Sequence, residues 1–342
     1  MTEINPILVE VSRGKSVESF HRGAAVAVKD NGEIFAFSGN PRLCTFIRSS
    51  AKPFQVLPLL ISGAAEKFGF TEEEIALMCG SHSGTETHTR NIAGILRKIG
   101  LSEKDLKCGI HPPLDQQTRN SLAESGKKFT QLHNNCSGKH AAMLAGSIFR
   151  GYAIDDYLNP GHPWQKEILK ILSLLAGIPI ENITVGVDGC GAPVHSLPLY
   201  NAALAAARLV KPSEDNSKTA EACRGVIRAM TEFPEMVGGE GRICTDLIKS
   251  THGKIIGKAG AEGFYLAFWL KDSVGYGLAL KIDDGAERAR EPVLLECLKQ
   301  LGALTPEEAD SLETHRKRKI VNHAGLEVGE IRTVFQMQFS EV

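Results

Sequence analysis

The stretch Gly23-Ala-Ala-Val-Ala-Val-Lys29, Asp30-Asn31-Gly32, Glu33-Ile-Phe-Ala-Phe37 decides the reading of the fold. Two apolar, β-prone runs flank an Asn-Gly pair, and glycine takes the positive φ that a tight hairpin needs. An antiparallel sheet therefore starts near the N-terminus, with Ile7-Leu-Val-Glu-Val11 as a further strand. The same signature returns at the far end. Lys254 to Gly257, Gly263 to Leu270 and Val274 to Ile282 read as strands. Ala286 to Leu301 and Pro306 to Glu313 read as helices, and Lys319 to Val321 with Glu330 to Gln336 as a closing strand pair.

Between these ends the apolar spacing becomes helical. It runs through Ala51 to Ile61, Glu72 to Met78, Thr89 to Ile99, His140 to Arg150, Trp164 to Ala176, Pro198 to Leu209 and Lys218 to Thr231. Thr71 before Glu72-Glu-Glu74 suits an N-cap and the positive end of a helix dipole. Gly100 and Pro212 are stop signals. The predicted class is α/β (α+β). Residues 1–48 plus 250–342 form an antiparallel sheet domain from both chain ends, and 49–249 form a mainly helical domain. The first and last strands must then pair across the whole chain.

Composition narrows the function classes. The 342 residues are 42% hydrophobic and 23% charged, with a formal net charge of −1. No basic stripe marks a nucleic-acid binder, and nothing suggests attachment to an anionic membrane. Met1 to Pro6 lacks a basic n-region and no apolar h-region follows, so a cytoplasmic location is expected. The eight cysteines are scattered, which suits thiols in a reducing compartment.

Ser-x-x-Lys occurs three times, at Ser12/Lys15, Ser49/Lys52 and Ser125/Lys128. The first and last lie in polar, charged turns and read as surface. Ser49-Ser-Ala-Lys52 leads into Pro53-Phe-Gln-Val-Leu57, which places Ser49 at a helix N-terminus and Lys52 one turn on. Free N–H groups there can serve an oxyanion, and a desolvated lysine can lose its proton and act as base. The plainer reading is an N-cap serine beside an exposed lysine. Two later elements favour chemistry. Ser81-His82-Ser83 follows an apolar run, and Lys258-Ala-Gly260 sits in the late strand region. The order matches serine–lysine hydrolases of the β-lactamase and penicillin-binding group. Ser-His-Ser is not Ser-Asp-Asn, however, and Lys-Ala-Gly lacks the central hydroxyl. Two pairs, Ser49–Lys52 and Ser81–Lys258, are the better reading.

His133-Asn-Asn-Cys-Ser-Gly-Lys-His140 and Val187-Asp-Gly-Cys-Gly-Ala-Pro193 are also dense in chemistry. Cys136 with His140 and Cys190 with His195 could contribute to a zinc site or a cysteine nucleophile. Without a Cys-x-x-Cys pattern, two buried thiols in glycine-rich turns are the simpler account.

Six blocks carry a family resemblance: Arg48–Gln55, Cys79–Gly84, Asn134–His140, Val187–Pro193, Gly238–Arg242 and Lys258–Gly263. Over nearly the whole chain they resemble the bacterial asparaginase II family of the thermolabile rhizobial type. The resemblance implies a serine β-lactamase/penicillin-binding-protein-like fold, a homodimer, and hydrolysis of L-asparagine to aspartate and ammonia. It implies Ser49 as nucleophile with Lys52, Ser81 with Lys258 as second pair, and zinc at Cys136, Lys139 and Cys190. No cofactor is needed for the chemistry. The charged ends of the substrate direct attention to Arg48 and Asp188, and His82 and Asn135 complete the candidate substrate-binding set. Rival readings are a serine–lysine glutaminase or other small amidase, and a non-catalytic zinc-binding or ligand-sensing protein on the same fold.

Overall fold

A computed structural model describes residues 4–213, 217–316 and 318–340. Met1 to Glu3, part of the leader reading, lie outside them. The chain divides into two compact units: Met1–Ser50, Leu197–Lys211 and Asp246–Val342 in the first, Ala51–Ser196 and Pro212–Thr245 in the second.

The first unit is built on an antiparallel sheet. Its spatial order is Arg318–Val321, Glu327–Thr333, Ile7–Arg13, Ser16–Lys29, Val274–Ile282, Phe264–Lys271 and Ile255–Ala259. Ile34–Ser38 pairs with Ser16–Lys29 and with the short Gln338–Phe339. Both chain ends thus meet in one sheet, with Val9 opposite Thr333 and Ala25 opposite Leu280. The hairpin closes as its sequence requires: Lys29 N–H donates to Glu33 O at 2.8 Å, and Gly32 has φ 94°. One feature was not legible. The second strand begins at Ser16, not Gly23, because Ser16 to Arg22 pairs with Ile7–Arg13.

The helix Leu199–Val210 also belongs to this unit, although its position in the chain suggests the helical middle. It packs against Val274–Ile282. Its buried face is largely alanine, and Gly275 and Gly277 on the strand face its carbonyls. A Cβ on Gly277 would overlap the Ala203 carbonyl. Helix and strand backbones therefore approach closely, which only small residues on both sides permit.

The second unit is helical. Its central helix, Lys52–Ile61, is buried from Lys52 through Leu59, and such all-round burial marks a core helix. Around it lie Glu72–Cys79, Ser137–Arg150, Pro163–Ala176 and Ser217–Glu232. Thr71 forms the expected cap: Glu74 N–H donates to its Oγ1, and Thr71 N–H donates to the Glu74 carboxylate. Ser137–Arg150 starts three residues before the expected His140, so Cys136 is its N-cap residue and Lys139 lies in its first turn. Gln116–Glu124 and the hairpin Thr184–Val187/Pro193–Pro198 were not anticipated. No helix among the described residues is long and apolar enough to cross a membrane.

Gly277→Ala is expected to destabilise the protein by about 3 kcal/mol, as overpacking against a fixed carbonyl does. The urea midpoint checks this, and an unchanged midpoint would show that the helix can move away.

Candidate active site

The serine–lysine elements fall in both units. In the first, Arg48–Ala51 is a 3-10 turn leading into the Lys52–Ile61 helix, so Ser49 does stand ahead of a helix N-terminus with Pro53 in its first turn. Arg48 has φ 48°, the left-handed region, which costs a non-glycine residue about 1 kcal/mol or more. Ser50, not Ser49, anchors this turn: it is buried, and its Oγ donates to the Lys258 carbonyl at 2.6 Å. Lys258 is fully buried on the strand Ile255–Ala259, with its Nζ donating to Ala259 O at 2.8 Å. Ser49 itself is half-buried.

In the second unit Lys52 is fully buried. Its Nζ lies 2.7 Å from Gly80 O, 2.9 Å from Asn135 O and 2.9 Å from Ser81 Oγ. Burial is the main cause lowering its pKa below the ordinary lysine value, against an upward pull from Cys136. The two carbonyls can only accept, so they take two N–H bonds. The third direction faces a hydroxyl, which can accept from an ammonium or donate to a neutral amine. Gly138 makes this convergence sterically possible, because a Cβ there would overlap Leu77 O; a Cβ on Gly80 would overlap Met236 O, so that residue also lies close to the 236–239 segment.

His82 and Asn135, named as substrate-binding candidates, act within the protein here. Gly84 N–H donates to His82 Nδ1, so Nε2 carries the hydrogen and donates to Ser137 Oγ at 2.9 Å. His82 thereby ties the Ser81–Gly84 loop to the Ser137 helix. Asn135 offers its carbonyl to Lys52, and its Oδ1 lies 3.2 Å from Cys136 Sγ.

Cys136, Lys139, Asp188 and Cys190 do come together. Lys139 Nζ is 3.7 Å from Asp188 Oδ2, and both side chains are buried. The Cys190 thiol donates to Cys136, which with nearby Lys52 and Lys139 holds Cys136 well below its ordinary value despite burial. Cys190 is correspondingly raised. Burial works to lower Lys139, but Cys136, Cys190 and Asp188 outweigh it and keep the lysine above its ordinary value. The cluster thus sets Lys139, pushed toward its charged form, among Cys136, Cys190 and Asp188. Among the described residues no group of three or more His, Cys, Asp or Glu is arranged to hold a metal ion. The zinc expected at Cys136, Lys139 and Cys190 is therefore not supported. The expected alternatives, His140 and His195, do not supply a third ligand either. His140 Nδ1 accepts from Tyr157 Oη at 2.8 Å, since that hydroxyl already accepts from Lys107 N–H.

Residues 9–333 match the family model described as L-asparaginase II, and the chain belongs to this family. No curated protein matches it significantly. Similar solved structures include Mglu in its native form, at 15% identity and TM-score 0.43, covering 85% of this chain and 66% of that one. A β-lactamase from Sphaerobacter thermophilus DSM 20745 gives 13% identity and TM-score 0.41, covering 84% of this chain and 94% of that one. A protein described as a putative β-lactamase from Bacteroides dorei DSM 17855 gives 14% and 0.43, covering 81% and 92%. The chain spans slightly under two thirds of the length of the Mglu chain in its native form.

Buried and half-buried histidines contribute to the acid response of the second unit. His82, His88, His133, His140 and His195 all lie below the ordinary 6.5, chiefly through burial, and His195 lies at about 4. Each takes a proton more readily when unfolded, so the stability it supports is complete above pH 6.5 and is lost as pH falls. For His195 alone the loss is about 1.4 kcal/mol per pH unit between 6.5 and about 4. His315, raised by its hydrogen bond to Glu291, works oppositely in the first unit: its contribution is present in acid and fades as pH rises. The melting temperature is expected to drop steadily from pH 7 to pH 5, and less steeply in His195→Asn. Scanning calorimetry across that range checks both.

Proposed function

We propose that the protein is an L-asparaginase acting through an acyl-enzyme on Ser49, with Lys52 as base and Ser81 and Lys258 as the second pair. The observation that supports this most is the surroundings of Lys52. Burial favours the neutral amine, and two carbonyl acceptors aim its remaining lone pair at a hydroxyl. That is the state of a lysine able to receive a proton.

Ser49 Oγ attacks the side-chain amide carbon and its proton passes to Lys52. The carbon–nitrogen bond breaks and the nitrogen leaves as ammonia, taking a proton relayed by Ser81 with Lys258. Water then attacks the ester, releasing aspartate and restoring the Ser49 hydroxyl. N–H groups at the start of the Lys52 helix are suited to the oxyanion. Asp188 is assigned to the α-ammonium. A soluble cytoplasmic homodimer remains the expected setting.

A second reading exchanges the serines. Ser81 Oγ is 2.9 Å from Lys52 Nζ, which favours Ser81 as nucleophile, whereas its deeper burial favours Ser49 for reaching the substrate. Ser49→Ala is expected to lose at least about 10⁴-fold in ammonia release while keeping its melting temperature. Retained acylation of Ser49→Ala at Ser81, seen by mass spectrometry, would transfer the role. Assaying asparagine beside glutamine separates asparaginase from glutaminase.

Because Lys52 must be neutral to accept the proton, kcat/KM is expected to rise with pH through an apparent pKa below the ordinary lysine 10.5. A limb at or above that value would exclude Lys52 as the base.

A further inference from the structure

One cation beside the serine–lysine pair has no counter-charge. Arg242 is half-buried, and its Nη1 donates to the Ser81 carbonyl at 3.0 Å. Among the described residues no carboxylate forms an ion pair with it, and its other N–H donors have no partner. A guanidinium carries five such donors in a planar fork that matches a carboxylate. Arg242 is only half-buried, so the rest of its fork stays accessible to a ligand's carboxylate.

The segment holding Arg242 is firmly built. Ser81 N–H donates to Val237 O at 2.8 Å, and Ser83 Oγ donates to Gly238 O at 2.7 Å. Gly239 N–H donates to Thr245 Oγ1 at 3.1 Å, which in turn donates to Pro234 O at 2.9 Å. A Cβ on Gly239 would overlap Ser83 Oγ, so the two loops lie in direct contact. Arg242 is thus fixed relative to Ser81 by several independent bonds. Arg48, the arginine selected from the sequence, is already engaged within the protein.

The geometry points to Arg242 as the residue that binds the α-carboxylate of the substrate. This rests on the amidohydrolase reading above and sets the substrate class: free amino-acid amides, with asparagine inside a peptide excluded because its carboxyl is no longer a carboxylate. Arg242 is a substrate-binding residue and moves no proton.

The test crosses enzyme variants with a truncated substrate. 3-Aminopropanamide keeps the amide and the amine of asparagine but lacks the carboxylate. In Arg242→Gln, kcat/KM for L-asparagine is expected to fall about 10- to 150-fold, mostly through KM, as for a lost hydrogen bond to a charged group. The weak wild-type turnover of 3-aminopropanamide should not fall further. Arg242→Lys, which keeps the charge without the fork, should recover part of the loss on asparagine only. Equal losses on both substrates would make Arg242 a positioning residue for Ser81 and overturn the assignment, as would no loss on either. Should Arg242→Gln lack a cooperative melt, Arg242→Lys is read on the same two substrates with the same criterion. Wild-type protein that hydrolyses both equally well overturns the carboxylate role alone. Wild-type protein inert toward every amino-acid amide overturns the amidohydrolase reading with it.

Discussion

Removing a lysine ammonium from water costs several kcal/mol unless its donors are met, and the architecture around Lys52 is organised by that constraint. Three acceptors converge on its Nζ: Gly80 O at the end of one helix, Ser81 Oγ in the loop that follows, and Asn135 O before another helix. Each must reach the nitrogen within about 3 Å, so the helices Glu72–Cys79 and Ser137–Arg150 have to approach without intervening side chains. Gly138 provides the room, its missing Cβ lying against Leu77 O. The same crowding brings Cys136 and Lys139 close, and their charges act on Lys52 in opposite senses.

Electrostatic balance in this region is local. Cys136 is pulled well below its ordinary value because Cys190 donates to it and two lysines stand near. Lys139 is pushed toward its charged form because Cys136, Cys190 and Asp188 surround it. The histidines nearby are held neutral by burial, and Arg242 adds to that for His82 and His88. The buried set therefore holds charges of both signs, while burial lowers Lys52 beside it. A buried cluster of this kind is weak evidence for stability and better evidence for a site in which charge is positioned.

Several elements could be read before the fold was seen. The Asn-Gly hairpin, the strands at both ends and the capped helix at Thr71 are written in neighbouring residues, where turn chemistry and periodicity act directly. The long strand from Ser16 was missed because Ser16 to Arg22 is polar enough to pass for a loop, and only its pairing with Ile7–Arg13 makes it a strand. The Leu199–Val210 helix was recognised as a helix, yet its place against the sheet depends on Gly275 and Gly277, more than sixty residues away in the chain.

The sequence by itself determined that a sheet from both chain ends brackets a helical middle, and that Ser49 and Lys52 stand at a helix start. Those facts follow from local spacing. Only the tertiary structure decided that Lys52 bonds Ser81, 29 positions away, that His82 is spent on Ser137, and that Lys139 joins a cysteine cluster where zinc is not supported. It also set the Arg242 guanidinium against the Ser81 carbonyl, 161 positions away. Which charge meets which is set by packing between segments distant in the chain, and no local pattern of residues encodes it.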